Sequence, residues 1–100
     1  MAADPSFQMT VEDVFTIRGR GTVLTGRIER GVLKVGDEVT LKSQSGSKKI
    51  VVTGIESFRK IQTEAKAGDN VGVLVRDVTQ KDAKRGDTLT GSESEFTWNP

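Results

Sequence analysis

The sequence contains no cysteine and no histidine among its 100 residues. Without cysteine there can be no disulfide and no thiolate metal ligand. Without histidine, the commonest general base and the imidazole ligand that zinc favours are missing as well. We therefore expect no metal site and no histidine-based catalysis.

The sequence also lacks a large net charge and long apolar runs. Lys and Arg total 15 against 14 Asp and Glu, so the formal net charge is only +1. Any contact with nucleic acid must then be local. No apolar run approaches the roughly 20 residues that a membrane helix needs, and the first residues lack the basic and apolar regions of a signal peptide. We expect a soluble, cytoplasmic domain that contacts neither membrane nor DNA.

Motifs for nucleotide chemistry are absent too. The chain has no GxxxxGK[ST] phosphate loop, and residues 46–49 share only residue types with one. Glu12 and Asp13 are neighbours in a predicted strand, so their carboxylates point to opposite faces. We predict that the chain is not an enzyme, has no catalytic residue and binds no cofactor. Asp13 is expected to bind turn amides or to pair with an arginine such as Arg20.

The sequence is rich in short β-branched runs separated by turns, and 11 of its residues are glycine. This pattern, with no helical periodicity, predicts an all-β fold, a small closed antiparallel β-barrel. No connection is long enough to carry the crossover helix that parallel strands need. We place the barrel at residues 7–91, an N-terminal extension at residues 1–6, and a C-terminal tail or linker at residues 92–100.

Strand alternation predicts which side chains face the core. In the first β-branched and aromatic run, residues 7–17, most odd-numbered positions are apolar: Phe7, Met9, Val11, Phe15 and Ile17. These side chains are expected to face inward, apart from the break at Asp13. In the later runs the same rule turns Val23 and Leu74 outward among polar neighbours.

An apolar patch with a polar rim would result if the strands carrying these outward residues are neighbours. Its members are Val23, Phe58 and Leu74, with Glu56, Arg59 and Asn70 at the rim. Such a patch is typical of a small binding pocket. Single exposed apolar residues are also common on any protein surface, so the pattern alone leaves both interpretations open.

Several segments together resemble domain 2 of elongation factor Tu, the β-barrel domain of translational GTPases. They include VEDVFTI at 11–17, GRGTV at 19–23, TGRIERG at 25–31, TGIE at 53–56 and AGDNVGVL at 67–74. The resemblance extends over residues 7–91 and is far more specific than any single motif. It implies the antiparallel barrel of the translation-factor domain 2 type, separated here from its GTPase domain and third domain.

The resemblance also implies a role in holding the 3′ aminoacyl end of tRNA during translation elongation. The family's pocket for the terminal adenosine falls on Ile17, Val23, Glu56 and Leu74. Asn70 and the backbone near Phe58 correspond to the region that meets the aminoacyl group, and Arg59 and Arg85 are expected to contact tRNA phosphates. The implied partners are aminoacyl-tRNA, bound weakly by one domain alone, and the GTPase domain and domain 3 of a parent factor.

A second function stays open. Thr10 stands where the family usually has proline, Arg18 is an unusual charge beside the expected pocket, and the segment after Gly86 departs from the family pattern. These differences are compatible with a protein-interaction or structural β-barrel that keeps the fold without tRNA binding. Ile17 adds a structural condition, since parity places it in the core and only a bulge or twist would turn it outward.

Overall fold

A computed structural model describes residues 3–44, 46–57 and 60–91. Within these ranges every regular element is a β-strand, as the alternating runs predict. In chain order the strands are β1 (Gln8–Ile17), β2 (Gly21–Arg30), β3 (Val32–Lys34), β4 (Glu38–Ser43), β5 (Gly46–Ser57), β6 (Lys60–Gln62), β7 (Glu64–Lys66), β8 (Asn70–Val75) and β9 (Thr88–Thr90). The same ranges contain no helix with the length and hydropathy that crossing a membrane requires.

The main sheet closes on itself. Neighbouring strands follow the order β4, β9, β1, β2, β8 and β5, and β4 also pairs with β5 to complete the ring. β6 extends β5 beyond this ring, whereas β3 and β7 form a separate two-stranded sheet. The pairings between these strands are antiparallel. The prediction of a closed antiparallel barrel is confirmed, and closure pairs the backbone groups that an open sheet would expose at its edges.

Apolar side chains fill the barrel. The largest fully buried ones are Phe7, Met9, Val11, Leu24, Ile28, Leu33, Val39, Leu41, Val52, Ile55, Val73 and Leu89. Burying each large apolar side chain contributes about 1.5–3 kcal/mol. In β2 and β8, Leu24 and Val73 face inward while Val23 and Leu74 face outward, as alternation predicts. This packed interior holds the outer face of the sheet in place.

A β-bulge in β1 reverses the parity of the strand. Val11 pairs with Gly26 and Asp13 pairs with Thr25, so Glu12 is an extra residue with no partner of its own in the strand register. After the bulge Val14 packs against the core, and Phe15 points outward with 52% of its surface exposed. The prediction that Phe15 faces inward was therefore wrong. Successive side chains alternate between the two faces of a sheet only where the strand register is continuous.

The same bulge places Ile17 on the outer face. Ile17 pairs with Gly21 and lies two residues beyond Phe15, so the two side chains share one side of β1. Ile17 is half-buried there. The bulge thus meets the condition under which this residue could reach a surface site.

A second bulge explains why apolar residues occupy both parities of β5. Val52 pairs with Val75 and Gly54 pairs with Leu74, which leaves Thr53 as the extra residue. Val52 and Ile55 are consequently both buried although they are three positions apart, while Val51 is 48% exposed. The Thr53 hydroxyl donates a hydrogen bond of 3.1 Å to the Leu74 carbonyl and ties the bulge to β8.

Residues 3–6 pack onto the barrel. Ala3 is buried in the core cluster, and the backbone N–H of Phe7 donates to the Asp4 carbonyl at 2.9 Å. The Asp4 carboxylate accepts hydrogen bonds from the backbone N–H of Ser6 and of Val32. The bond from the Ser6 N–H is the main cause that holds the pKa of Asp4 below its ordinary value. The predicted tail at residues 92–100 lies outside the described residues.

Candidate functional site

Four neighbouring strands bring the outward apolar residues into one row. Phe15 on β1 pairs with Val23 on β2, Val23 pairs with Leu74 on β8, and Leu74 pairs with Gly54 on β5. Directly paired residues of antiparallel strands have side chains about 4.5–5.5 Å apart. Val23 and Leu74 therefore adjoin on the outer face, and both are half-buried.

The next row across the same strands supplies polar groups and a glycine. Asp13 pairs with Thr25, Thr25 with Gly72, and Gly72 with Glu56. A Cβ atom on Gly72 would lie only 2.9 Å from Cγ1 of Val23. The missing side chain at Gly72 therefore leaves the space that Val23 uses, and it lowers the surface between Val23 and Glu56.

These rows form a groove of about 360 Å³, which we call the Glu56 groove. Its lining residues are Glu12, Val23, Thr25, Gly26, Glu56, Ser57, Asn70, Val71 and Gly72. The volume falls within the range of about 300–1,000 Å³ that small-molecule sites have. The groove joins an apolar wall to the carboxylates of Glu12 and Glu56, and its lining includes no cationic side chain from the described part of the chain.

Arg20 reaches the Glu56 groove from the β1–β2 turn. Its Nη2 atom lies 3.1 Å from Oε2 of Glu56, and the guanidinium donates a hydrogen bond to that oxygen. Asp13 was expected either to bind turn amides or to pair with an arginine such as Arg20, and the second alternative was wrong for Arg20, which pairs with Glu56. Asp13 pairs with Thr25 on the sheet and accepts a long hydrogen bond from the Thr25 hydroxyl at its backbone carbonyl. Arg20 projects from the β1–β2 turn and contacts Glu56 on β5.

Asn70 lies at the opposite end of the groove from the apolar row. It begins β8, pairs with Arg27 of β2 and has an exposed side chain. Its amide can both donate and accept hydrogen bonds. Asn70, Val23 and Glu56 therefore line one groove, with Leu74 adjoining it beside Val23.

Ile17 and Arg85 line other depressions. Ile17 belongs to a depression of about 410 Å³ formed by residues 16–22 and 76–79, which we call the Arg18 depression. Arg20 also lines it, so this depression adjoins the Glu56 groove through one side chain. Arg85 lines a third depression with Ser43, Gln44 and residues of the turn before β9. Phe58 and Arg59 lie outside the described residues.

The alternation pattern missed several residues of this face. Glu12, Thr25 and Gly72 line the groove, and Phe15 stands exposed beside it. The break in alternation at Asp13 was the one sequence feature that could have indicated the bulge. Nothing in a single sequence shows that Gly72 lies beneath Val23, because that contact depends on the pairing of β2 with β8.

The chemistry of the Glu56 groove suits a neutral planar group with polar edges. Val23 offers apolar contact, Leu74 extends this apolar surface beside the groove, and the Glu56 carboxylate can accept hydrogen bonds. Among the described residues, no cluster of three or more acidic side chains is arranged to hold a metal ion. The apolar side chain of Val23 and the carboxylate of Glu56 together favour binding through stacking and hydrogen bonds.

Comparison with known protein families gives a match over most of the chain. The model of the family described as elongation factor Tu domain 2 matches residues 21–90. The matched range runs from the start of β2 to the end of β9 and contains Val23, Glu56, Asn70, Leu74 and Arg85.

Proposed function

This chain belongs to the elongation factor Tu domain 2 family, and we propose that its Glu56 groove binds the 3′ aminoacyl end of tRNA. The chain is the β-barrel domain of a translation factor and not its catalytic GTPase domain. The proposed role is in translation elongation, and the proposed localisation is the cytoplasm. The observation that carries the proposal is the adjoining pair Val23 and Leu74 beside the Glu56 carboxylate.

The terminal adenosine is the group that this groove receives. An unpaired adenine has a flat apolar face and polar edges, so it can stack on Val23 and Leu74 while Glu56 accepts a hydrogen bond from the base or the ribose 2′-hydroxyl. Stacking on a side chain contributes on the order of 1–3 kcal/mol per base. Ile17 borders the ligand from the adjoining depression.

The remaining proposed contacts surround this adenosine. Asn70 and the backbone near Phe58 meet the aminoacyl group, because Asn70 ends the groove away from the apolar row. Arg59 and Arg85 contact tRNA phosphates, an interaction that weakens as salt rises. One barrel supplies few such contacts, so the isolated chain binds aminoacyl-tRNA weakly, and tight binding requires the GTPase domain and domain 3 of a parent factor.

A titration with short aminoacylated and deacylated tRNA-end fragments, followed by amide NMR shifts, tests the proposal. We expect shifts at Val23, Gly72 and Leu74, and weaker binding in E56Q. The matched control is E64Q, because Glu64 is exposed on β7 in the separate two-stranded sheet. Equal loss in both variants, or no groove shifts at millimolar fragment, contradicts the proposal.

A second candidate is a protein-interaction barrel, and one observation favours it. Ile61 on β6 is 84% exposed, the highest exposure among the exposed large apolar side chains of the described residues. A neighbouring protein surface, such as another domain of a parent factor, would cover it. Partners that are retained by E56A and L74A but lost with I61S would support this function.

A further inference from the structure

The Arg18 depression carries a concentration of positive charge that the adenosine site does not use. Three arginines line it, Arg18, Arg20 and Arg76, against the carboxylate of Asp77. Arg20 is already paired with Glu56. Within the described ranges, Arg18 and Arg76 have no carboxylate partner. Two guanidinium groups are therefore available to an anion.

Backbone packing brings these arginines together from distant parts of the chain. Arg18 belongs to the β1–β2 turn, which the Arg20 N–H closes by donating to the Ile17 carbonyl at 2.9 Å. Arg76 directly follows Val75, which pairs with Thr22 on β2. The turn and the end of β8 thus lie side by side.

Gly21 allows this close approach. A Cβ at this position would lie 2.5 Å from the Val75 carbonyl oxygen and 3.8 Å from Cγ of Arg76. The aliphatic stem of Arg76 therefore lies next to Gly21, which itself has a φ of 118°. Beneath them, the buried Thr22 hydroxyl donates to the Val78 carbonyl and holds the loop after β8 against the barrel. The arginines project from an ordered, well-anchored base.

We infer that the Arg18 depression binds a backbone phosphate of the single-stranded RNA whose terminal base occupies the Glu56 groove. Guanidinium groups match phosphate through paired N–H donors. Arg20 lines the depression and reaches Glu56, so a strand leaving the groove past Arg20 enters the depression. The exposed Phe15 ring, beside Val23 in the pairing, continues the apolar surface toward Ile17. This inference rests on the proposed function.

RNA fits this surface better than an acidic protein segment does. The depression contains two arginines that have no carboxylate partner among the described residues. The apolar side chain of Ile17 lies beside them, and the adjoining Glu56 groove is suited to a base. Single-stranded nucleic acid offers both charged phosphates and stacking faces in alternation, which such a surface can use together. An acidic peptide would use the arginines alone.

The test compares adenosine, which has no phosphate, with a single-stranded RNA trinucleotide ending in adenosine. The variant R18Q/R76Q removes the two available guanidinium groups and leaves the Arg20–Glu56 pair intact. The control K81Q/K84Q removes the same charge from the exposed turn that borders the Arg85 depression. Binding is measured by amide NMR shifts at several salt concentrations.

R18Q/R76Q should bind the trinucleotide several-fold more weakly and should bind adenosine like the original chain. The slope of log affinity against log salt should also fall by about 0.7 for each phosphate that the variant no longer neutralises. K81Q/K84Q should change neither quantity by as much. A hexaglutamate peptide should bind more weakly than the trinucleotide and leave the groove amides unshifted.

Other outcomes overturn the inference. The inference fails and the proposed function stands if adenosine shifts the amide NMR signals of the groove but R18Q/R76Q changes neither the affinity for the trinucleotide nor the slope of that affinity against salt. If R18Q/R76Q weakens adenosine equally, the arginines act on the groove and not on a phosphate. Equal effects of the control variant, or equal binding of hexaglutamate at the same amides, show unspecific charge attraction. If neither ligand shifts the groove, the proposed function fails and the inference with it.

Discussion

Nη2 of Arg20 lies 3.1 Å from Oε2 of Glu56, and this ion pair joins the β1–β2 turn to β5 across the outer face of β2 and β8. The two side chains are 53% and 42% exposed. An exposed pair of this kind contributes roughly 0–1 kcal/mol to stability. We expect its larger effect to be on the direction of the Glu56 carboxylate, which lines the groove together with Val23 and Gly72.

The first prediction separates that positioning effect from stability. R20Q should change the free energy of unfolding by less than about 1 kcal/mol, because the pair is exposed. It should weaken adenosine binding, since the Glu56 carboxylate loses its fixed direction, and R20K should restore part of the affinity. Urea unfolding and an NMR titration measure the two quantities. Unchanged affinity in R20Q would show that Arg20 does not position Glu56.

The second prediction concerns the glycine beneath Val23. In G72A the new Cβ would lie 2.9 Å from Val23 Cγ1, so overpacking should cost about 1–3 kcal/mol and the groove should become shallower. G54A is the matched control, because its Cβ would lie 3.4 Å from Leu74 Cδ2 and should change stability by less than about 1 kcal/mol. Urea unfolding with an adenosine titration checks both. Similar results for the two variants would contradict the role of Gly72.

The third prediction tests the bulge in β1. Deletion of Glu12 removes the extra residue and forces either Val14 outward or the first half of β1 into the wrong register. We expect destabilisation of more than about 2 kcal/mol, or loss of cooperative unfolding. E12Q keeps the bulge and should unfold like the original chain. A deletion variant of normal stability would show that β1 tolerates a regular register.

The fourth prediction concerns pH and the N-terminal segment. Hydrogen bonds, first that from the Ser6 N–H, hold the pKa of Asp4 below its ordinary value of 3.8. A lowered pKa means that the charged carboxylate stabilises the fold above pH 3.8 and that this contribution disappears as pH falls through the lowered pKa. D4N should therefore be less stable than the original chain at neutral pH, and the difference should vanish in acid.

Urea midpoints measured from neutral pH into acid check this expectation. E38Q is the control, since it also removes one carboxylate charge but from an exposed position on β4. Its midpoint should follow that of the original chain throughout. If the difference in urea midpoint between D4N and the original chain were as large at the lowest pH as at neutral pH, the charge of Asp4 would not be the cause of that difference.

Much of the fold could be predicted from local patterns. Leu24 and Val73 are buried and Val23 and Leu74 face outward, because uninterrupted alternation assigns faces reliably. The absence of long connections made an antiparallel barrel the natural architecture. Phe15 was assigned to the wrong face because one inserted residue at Glu12 shifts every later side chain to the other side.

The candidate site was less predictable than the fold. Val23, Glu56 and Asn70 lie around one groove, whereas Ile17 and Arg85 line separate depressions. A single sequence does not reveal the distance between strands that are far apart along the chain. Gly72 illustrates the limit, since glycine in a strand only indicates close approach and does not say which side chain approaches.

By itself, the sequence determined the class of fold, the lack of thiol and imidazole chemistry, and the faces of the regular strands, because composition and short-range periodicity need no long-range contacts. Only the tertiary structure decided that Arg20 meets Glu56, that Val23 adjoins Leu74, and that Arg18 and Arg76 converge on one depression. Each of these depends on which strands pair and where a bulge shifts the register. Pairing and register are properties of the closed barrel as a whole, so local patterns cannot supply them.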